Sequence, residues 1–410
     1  MRLLTDIRPL RESADFRRLW VGSTVSQLGQ QMTAVTVSIQ VYALTHSTFA
    51  VGLVGLCSLV PLIVFGLYGG AMADAIDRRT LALVSSTGLW LLSMVLVLQS
   101  HLDWAQVSVL YAVVACQSAC FAVNNPARSA IIPRLIRPEL LPAANTLSQA
   151  AFNLGFTAGP LLGAAVIAWH GFAAAYLVDV ITFTAALYAL FRLPPVPPTG
   201  AVRRAGLRSV LEGFTFLRAA PALLATFLAD ILAMVFAQPR ALFPAVAGAF
   251  FGGGVRTVGL LQAAPAIGAL IGVIFSGWVT RVRRQGVAIV LAITAYAAAV
   301  GLFGLSRTIW LGVALLALSG AADMVSSAYR NTVLQSAAPD AMRGRLQGVF
   351  IVVVAGGPRL GDFVAGTTAS LTSPTVALLG GAAVCVAGLL ILLARNRPFR
   401  VYDSHTRALS

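Results

Sequence analysis

The chain has 410 residues, of which 58% are hydrophobic and only 10% charged, with a formal net charge of +15. A soluble protein of that length could not cover its surface with so few charges. The positive balance is all arginine, with no lysine, and the arginines are spread over seven separate segments rather than one patch, which excludes a nucleic-acid footprint.

A helix needs about 20 mostly apolar residues to cross a bilayer. Twelve such stretches are expected, at 17–44, 50–73, 80–100, 104–126, 142–169, 172–192, 221–246, 255–279, 285–305, 308–332, 345–371 and 374–394. The predicted fold is an all-α membrane protein of 12 transmembrane helices in two six-helix halves. The first 16 residues are arginine-rich without a short apolar core, so the first stretch itself directs insertion. That stretch is the most polar, with Ser23, Ser26, Gln27, Gln30, Gln31, Thr33, Thr36 and Gln40. It cannot face lipid all round and is expected to line a polar interior. Gln27, Gln30 and Gln31, with Gln117, Asn124 and Asn125 of the fourth stretch, are the expected substrate-cavity residues.

The second stretch ends in Gly69-Gly70-Ala71-Met72-Ala73-Asp74-Ala75-Ile76-Asp77-Arg78-Arg79. Glycines there allow close helix approach, and Asp74 can meet an arginine or a helix N-terminus. Arg78 and Arg79 can bridge to the opposite half. The fifth stretch holds Gly155-Phe156-Thr157-Ala158-Gly159-Pro160-Leu161-Leu162-Gly163. Small residues four apart make a smooth groove for a facing helix, and the proline bends the span.

After the sixth stretch comes Leu193-Pro194-Pro195-Val196-Pro197-Pro198-Thr199-Gly200, where four prolines preclude a helix. The piece at 207–217 reads as an amphipathic surface helix pinned by arginine to anionic lipid. The expected organisation is a half at 1–192, a cytoplasmic linker at 193–218 and a half at 219–410. The halves repeat. Val51-Gly52-Leu53 returns as Val258-Gly259-Leu260 at an offset of 207, and Gly159-Pro160-Leu161-Leu162-Gly163 as Gly357-Pro358-Arg359-Leu360-Gly361 at 198. Ala127-Arg128-Ser129-Ala130 answers Tyr329-Arg330-Asn331-Thr332 at 202. Two homologous membrane halves are a common plan for a transporter that rocks around a central site. That site is expected between the halves, lined by spans one, four, seven and ten.

If the N-terminus is inside, 23 of the 29 arginines fall on inner segments, and the outer loops hold only Arg256 and Arg307. The positive-inside rule then puts both termini in the cytoplasm. Cys57, Cys116, Cys120 and Cys385 lie in apolar stretches with no metal spacing. His46, His101 and His170 fall in outer loops.

Charges inside the membrane cost roughly 2.5–3.5 kcal/mol each on insertion scales and need a partner or water. Arg128 and Arg330 are repeat equivalents near inner helix ends, expected to snorkel or pair at a gate. Asp323 lies seven positions before Arg330, on the same helical face. Asp179, in the outer third of its span, caps or pairs. The deeper set is Asp230 and Arg240 in the seventh stretch with Arg359 and Asp362 in the eleventh. This cluster either couples transport to ion flow or is a static buried set of ion pairs.

The segment after the second stretch resembles the major facilitator superfamily pattern Gly-x-x-x-Asp-Arg-x-Gly-Arg-Arg. It keeps Gly70, Asp74, Arg78 and Arg79 and departs at Ala75 and Asp77. Gly155, Gly159, Pro160 and Gly163 match the pattern of the superfamily's exporters, so the resemblance implies an antiporter motif. Thr45-His46-Ser47-Thr48, Glu212-Gly213-Phe214-Thr215-Phe216-Leu217, Ala241-Leu242-Phe243-Pro244 and the run from Leu334 to Arg345 are similar to the enterobactin exporter branch, whose relatives also include drug exporters. The resemblance implies export of a small organic molecule, a siderophore or amphipathic drug, by alternating access and proton antiport. It implies a monomer in the bacterial plasma (inner) membrane whose partners are cargo, protons and lipid, with no cofactor. Import of a polar metabolite is the alternative within transport, and a non-transporting receptor the alternative outside it. An intramembrane enzyme is disfavoured because no histidine lies in a span. Without lysine there is no nucleotide-binding Gly-x-x-x-x-Gly-Lys.

Overall fold

The computed structural model describes residues 6–102, 104, 106–197, 215, 217, 220–275, 282–337, 340–400 and 402, and side chains for all of these except 67–71, 73–75 and those within 335–352. Every regular element among them is helical. In chain order these are α1 (Arg8–Glu12), α2 (Ala14–Thr45), α3 (Thr48–Ala75), α4 (Arg78–His101), α5 (Val107–Leu135), α6 (Leu141–Phe191) and α7 (Pro221–Phe236). They continue with α8 (Phe243–Phe251), α9 (Val255–Ile274), α10 (Gln285–Phe303), α11 (Ile309–Ala337), α12 (Asp340–Leu371), α13 (Pro374–Arg395) and α14 (Arg397–Arg400).

Among the described residues, nine segments are long and apolar enough to cross a bilayer. One of the nine, Pro138–Phe191, is two arms joined at Gly171, where φ is +79° and ψ −178°. Only glycine adopts that backbone without steric cost, so it sets the turn between the fifth and sixth expected stretches. α2 and α12 are each 32 residues long and match the first and eleventh. Within the described residues, eleven of the twelve expected stretches fall mainly on a single helix or helix arm.

The seventh stretch is not one helix. α7 stops at Phe236, a 3-10 turn covers Arg240–Leu242, and α8 resumes at Phe243. Pro239 has no N–H to continue the ladder, and the residue before a proline is pushed out of the helical region. Most of 193–218, including the expected surface helix, lies outside the described residues.

The chain divides into two compact units. Unit 1 is Met1–Leu44 with Cys57–Gly206, and unit 2 is Thr45–Leu56 with Leu207–Ser410. The expected boundary after the sixth span therefore needs an amendment: α3 is shared, its first part grouping with unit 2. The reason is local. Thr48 Oγ1 donates to Gly366 O at 3.0 Å. A Cβ at Gly52 would stand 2.7 Å from Asp362 O, and one at Gly55 would stand 3.0 Å from Asp362 Cβ. Two glycines one turn apart let α3 lie against the backbone of α12.

Inside unit 1, α4 packs on α5 and α6; inside unit 2, α10 packs on α11 and α13. These are equivalent pairings in the two repeats. Large apolar side chains line the outside, with Leu371, Ile274 and Phe275 each at least 70% exposed, which suits contact with lipid tails. Trp104, Trp169 and Trp310 are also exposed and lie at helix ends, the level at which tryptophan anchors to the membrane interface.

Candidate functional site: two buried polar cores

In unit 1 the polar core is built on α4. Ser86 and Ser93, both fully buried, are seven positions apart, so they lie on one face about 10 Å from each other. Arg128 of α5 meets the first. Its guanidinium donates to Ser86 Oγ at 3.1 Å, and to Ser23 and Ser26 of α2 at 3.2 and 3.3 Å. Among the described residues Arg128 joins no ion pair, and its Nε is buried without a partner. Among the described residues its contacts are three hydroxyls from two helices.

Asn124, one turn earlier, donates to Ala82 O, Ser85 Oγ and Ser86 Oγ at 2.7–3.2 Å. Its amide ties α5 to α4. Gln117 donates weakly to Ser93 Oγ at 3.4 Å. Gln27, Gln30 and Gln31 are half-buried; the Oε1 of Gln27 has no partner.

The glycine-proline motif faces α2. A Cβ at Gly159 would stand 2.5 Å from Gln31 Cβ and 3.2 Å from Leu28 O. At Gly163 the nearest atom would be Met32 Cα at 3.1 Å, and at Gly155 the Gln27 backbone at 3.5 Å. Gly159 is thus the tight point, and Pro160 beside it is buried. The repeat copy does the same in unit 2: a Cβ at Gly361 of α12 would stand 2.9 Å from Gln238 Cβ, next to the break after α7.

Unit 2 solves burial with charge pairs. Arg330 of α11 donates to Asp230 of α7, both side chains at most 8% exposed, and to Asp323 two turns earlier on the same face at 3.4 Å. A void of about 10 Å³, room for one water, lies beside the pair, lined by Thr226, Phe227, Asp230 and Arg330. Asp230 therefore belongs with Arg330 and Asp323, not with Arg240. Sequence spacing linked Asp323 to Arg330 correctly but could not show which acid α7 brings to them.

Asp362 forms a separate site at the break. Its Oδ1 accepts from the Ala241 N–H at 3.2 Å, while Tyr296 Oη donates to Ala237 O at 3.1 Å. Both ends of the interruption are thereby satisfied by side chains, as backbone within a membrane requires. Arg240 and Arg359 both act on Asp362 electrostatically. Arg359 also donates to Ala355 O at 2.5 Å.

The basic pair after α3 is engaged inside unit 1. Arg78 donates to Ala130 O at 3.1 Å. Arg79 donates to Leu190 O at 3.2 Å and Phe191 O at 2.6 Å, clasping the end of α6. Gly70 and Asp74 lie on α3, but their side chains fall outside the described residues.

Two acids take roles that spacing did not assign them. Asp77, where the superfamily pattern has glycine, caps α4 through Thr80 N–H at 2.8 Å and accepts from Val196 N–H at 2.7 Å. Burial alone would raise its pKa. The hydrogen bonds from Thr80 and Val196 and the nearby Arg79 outweigh that and hold it below the usual carboxylate range. Asp179 is 1% exposed on the second arm of α6 and accepts from Ser93 Oγ at 2.7 Å, with the Thr33 hydroxyl of α2 also acting on its carboxylate. The available signal was a single acid in a long apolar run.

A family model described as transmembrane secretion effector matches residues 4–408. The chain belongs to that family. Enterobactin exporters of Shigella boydii serotype 18 and Escherichia coli are each 29% identical to this chain over 391 residues, covering 95% of it and 94% of the relative. Two solved structures share its fold. One is a POT family transporter in complex with 5-aminolevulinic acid, with a TM-score of 0.76, 13% identity and coverage of 94% and 97% of the two chains. The other is a bacterial homologue of the iron transporter ferroportin in its inward-facing state, with a TM-score of 0.68, 15% identity and coverage of 95% and 99%. The chain is a multi-pass membrane protein of the major facilitator fold, and its relatives are transporters rather than enzymes.

Proposed function

We propose that this protein is a secondary active exporter of a small organic molecule, a siderophore of the enterobactin kind or an amphipathic drug. The observation that carries the reading is the match to enterobactin exporters across 95% of the chain. The arginine bias supports placement in a bacterial inner membrane with both termini cytoplasmic, and we take the working unit to be a monomer.

Proton entry is the proposed drive. Asp230 and Asp362 are the candidate carriers, each on or against the interrupted seventh span. Protonating Asp230 removes half of the Arg330 pair, leaving the guanidinium to Asp323. Protonating Asp362 changes the group that holds Ala241 at the break. Either event alters how α7 is held, and alternating access needs such a bistable element. Arg128, solvated only by hydroxyls among its recorded bonds, is the proposed attraction point for an anionic portion of cargo. Gly159 and Gly361 supply the close contacts along which spans slide, and the Arg78 and Arg79 turn is the proposed gate.

Vesicles of inverted orientation test direction and drive together. Uptake of enterobactin into them, accelerated by an imposed inward-acid gradient and abolished by an uncoupler, is the expected outcome. Uptake only in right-side-out vesicles would make it an importer, and binding without flux a receptor. Cysteines introduced at His101 and Gly200 in a cysteine-free background should react with an impermeant reagent from opposite sides. Labelling of position 200 in intact cells would overturn the topology.

A further inference from the structure

Unit 1 contains a second polar cavity that neither the motifs nor the buried charges account for. It measures about 370 Å³ and is lined by Gln40, Leu44, Gln99, Ser100, His170 and Phe172, among others. It sits where α2, α4 and the first arm of α6 all end, at the Gly171 turn. Gln99 is 1% exposed, yet neither its amide nitrogen nor its amide oxygen has a partner. Gln40, 6% exposed, uses its oxygen to accept from Tyr176 Oη at 2.6 Å. An amide left open at both ends is expensive to bury, at about 1–3 kcal/mol for each unmet group.

The lining is chemically specific. It offers amides, a hydroxyl and an imidazole, and its recorded lining holds no carboxylate, arginine or lysine. The phenyl ring of Phe172 and the Leu44 side chain supply an apolar wall. A charged ligand would lose its hydration here with no countercharge to replace it. A neutral planar group carrying both a donor and an acceptor would complete Gln99 and lie against the ring. Trp169, 68% exposed, stands beside His170, so the cavity lies at interfacial depth.

We propose that this cavity is a binding subsite for an uncharged aromatic amide or hydroxyl-bearing aromatic group, the last contact of cargo before release. The words "before release" rest on the export reading and on the cytoplasmic N-terminus; the binding chemistry does not.

The probes are benzamide, benzoate and benzylamine, one ring with a neutral, an anionic and a cationic substituent. The reporter is Ser100→Cys in an otherwise cysteine-free full chain, labelled by a small thiol reagent in maltoside micelles and in lipid nanodiscs. Benzamide should slow labelling in both media while benzoate and benzylamine do not. Adding Gln99→Leu should raise the half-protecting benzamide concentration about tenfold, the loss of one satisfied buried hydrogen bond. Equal protection by all three probes, or no protection by any, would overturn the proposal in favour of a water-filled space. Labelling blocked in nanodiscs without probe but open in micelles would assign the cavity to a lipid headgroup and also overturn it. In cells, Gln99→Leu should raise the KM for export several-fold more than it lowers the maximal rate. If the wild-type chain exports nothing, the functional reading fails, while the labelling result still decides the site.

Discussion

Arg128 and Arg330 occupy equivalent positions in the two repeats, and the units around them handle the same buried cation in opposite ways. Unit 1 surrounds Arg128 with Ser23, Ser26 and Ser86. Unit 2 sets Arg330 against Asp230 and Asp323. Hydroxyls solvate a charge without cancelling it; carboxylates cancel it and can release it on taking a proton. One repeat thus keeps a standing positive site and the other a titratable one. The repeats share the arginine and differ in a few polar partners around it.

The largest expected effect comes from breaking the titratable side. Asp230→Asn leaves Arg330 with only the longer contact to the 40% exposed Asp323. Removing one partner of a buried pair costs about 3–5 kcal/mol, so the thermal midpoint in detergent should fall and proton-driven export should cease. Adding Arg330→Gln should restore most of the midpoint and none of the drive. Arg128→Gln should leave the midpoint nearly unchanged. Equal loss in Arg128→Gln and Asp230→Asn would erase the distinction between the units.

The two glycine-proline motifs come next. Overpacking a close contact costs about 1–3 kcal/mol. Leucine should therefore damage export most at Gly159, less at Gly163 and least at Gly155, following the 2.5, 3.1 and 3.5 Å spacings, with each protein still reaching the membrane. A flat series would deny the motif a role in span sliding.

Asp362 sharpens the unit 2 side, because its carboxylate has both a charge and a hydrogen-bonding duty. Asp362→Asn keeps an oxygen for Ala241 and should preserve the fold while losing gradient-driven accumulation. Asp362→Leu loses both and should also destabilise the protein by about 1–3 kcal/mol, from the unsatisfied N–H. Export at wild-type level by Asp362→Asn, read against external pH, would remove it from coupling.

The smallest effect belongs to Asp77. Its pKa is held below the unfolded value, so the stability it contributes is fully present above the ordinary carboxylate range and is lost as pH falls through its folded pKa. Asp77→Ala should cost about 1 kcal/mol from the lost cap and flatten the acid limb of a midpoint-against-pH curve. An unchanged acid limb would show that the cap has no part in it.

Much of this architecture was legible from composition and period alone. Bilayer thickness forces helices of a given length, and arginine bias and the repeats order them, so the spans could be placed before any coordinates. The glycine-proline motif was also visible, since small residues four apart share one helix face. Three things were not. That Pro239 ends α7 and Asp362 mends the break depends on which residue of a distant span lies opposite. That Asp230 meets Arg330 rather than Arg240 follows from helix rotation, and α7 carries polar groups whose direction the apolar pattern does not set. That Gln99 is buried without a partner is visible only when α2, α4 and α6 converge. Local chemistry determines where a chain can cross a membrane, because each span must satisfy its own backbone; which buried charges and amides find one another is a long-range matter, and only the tertiary packing decides it.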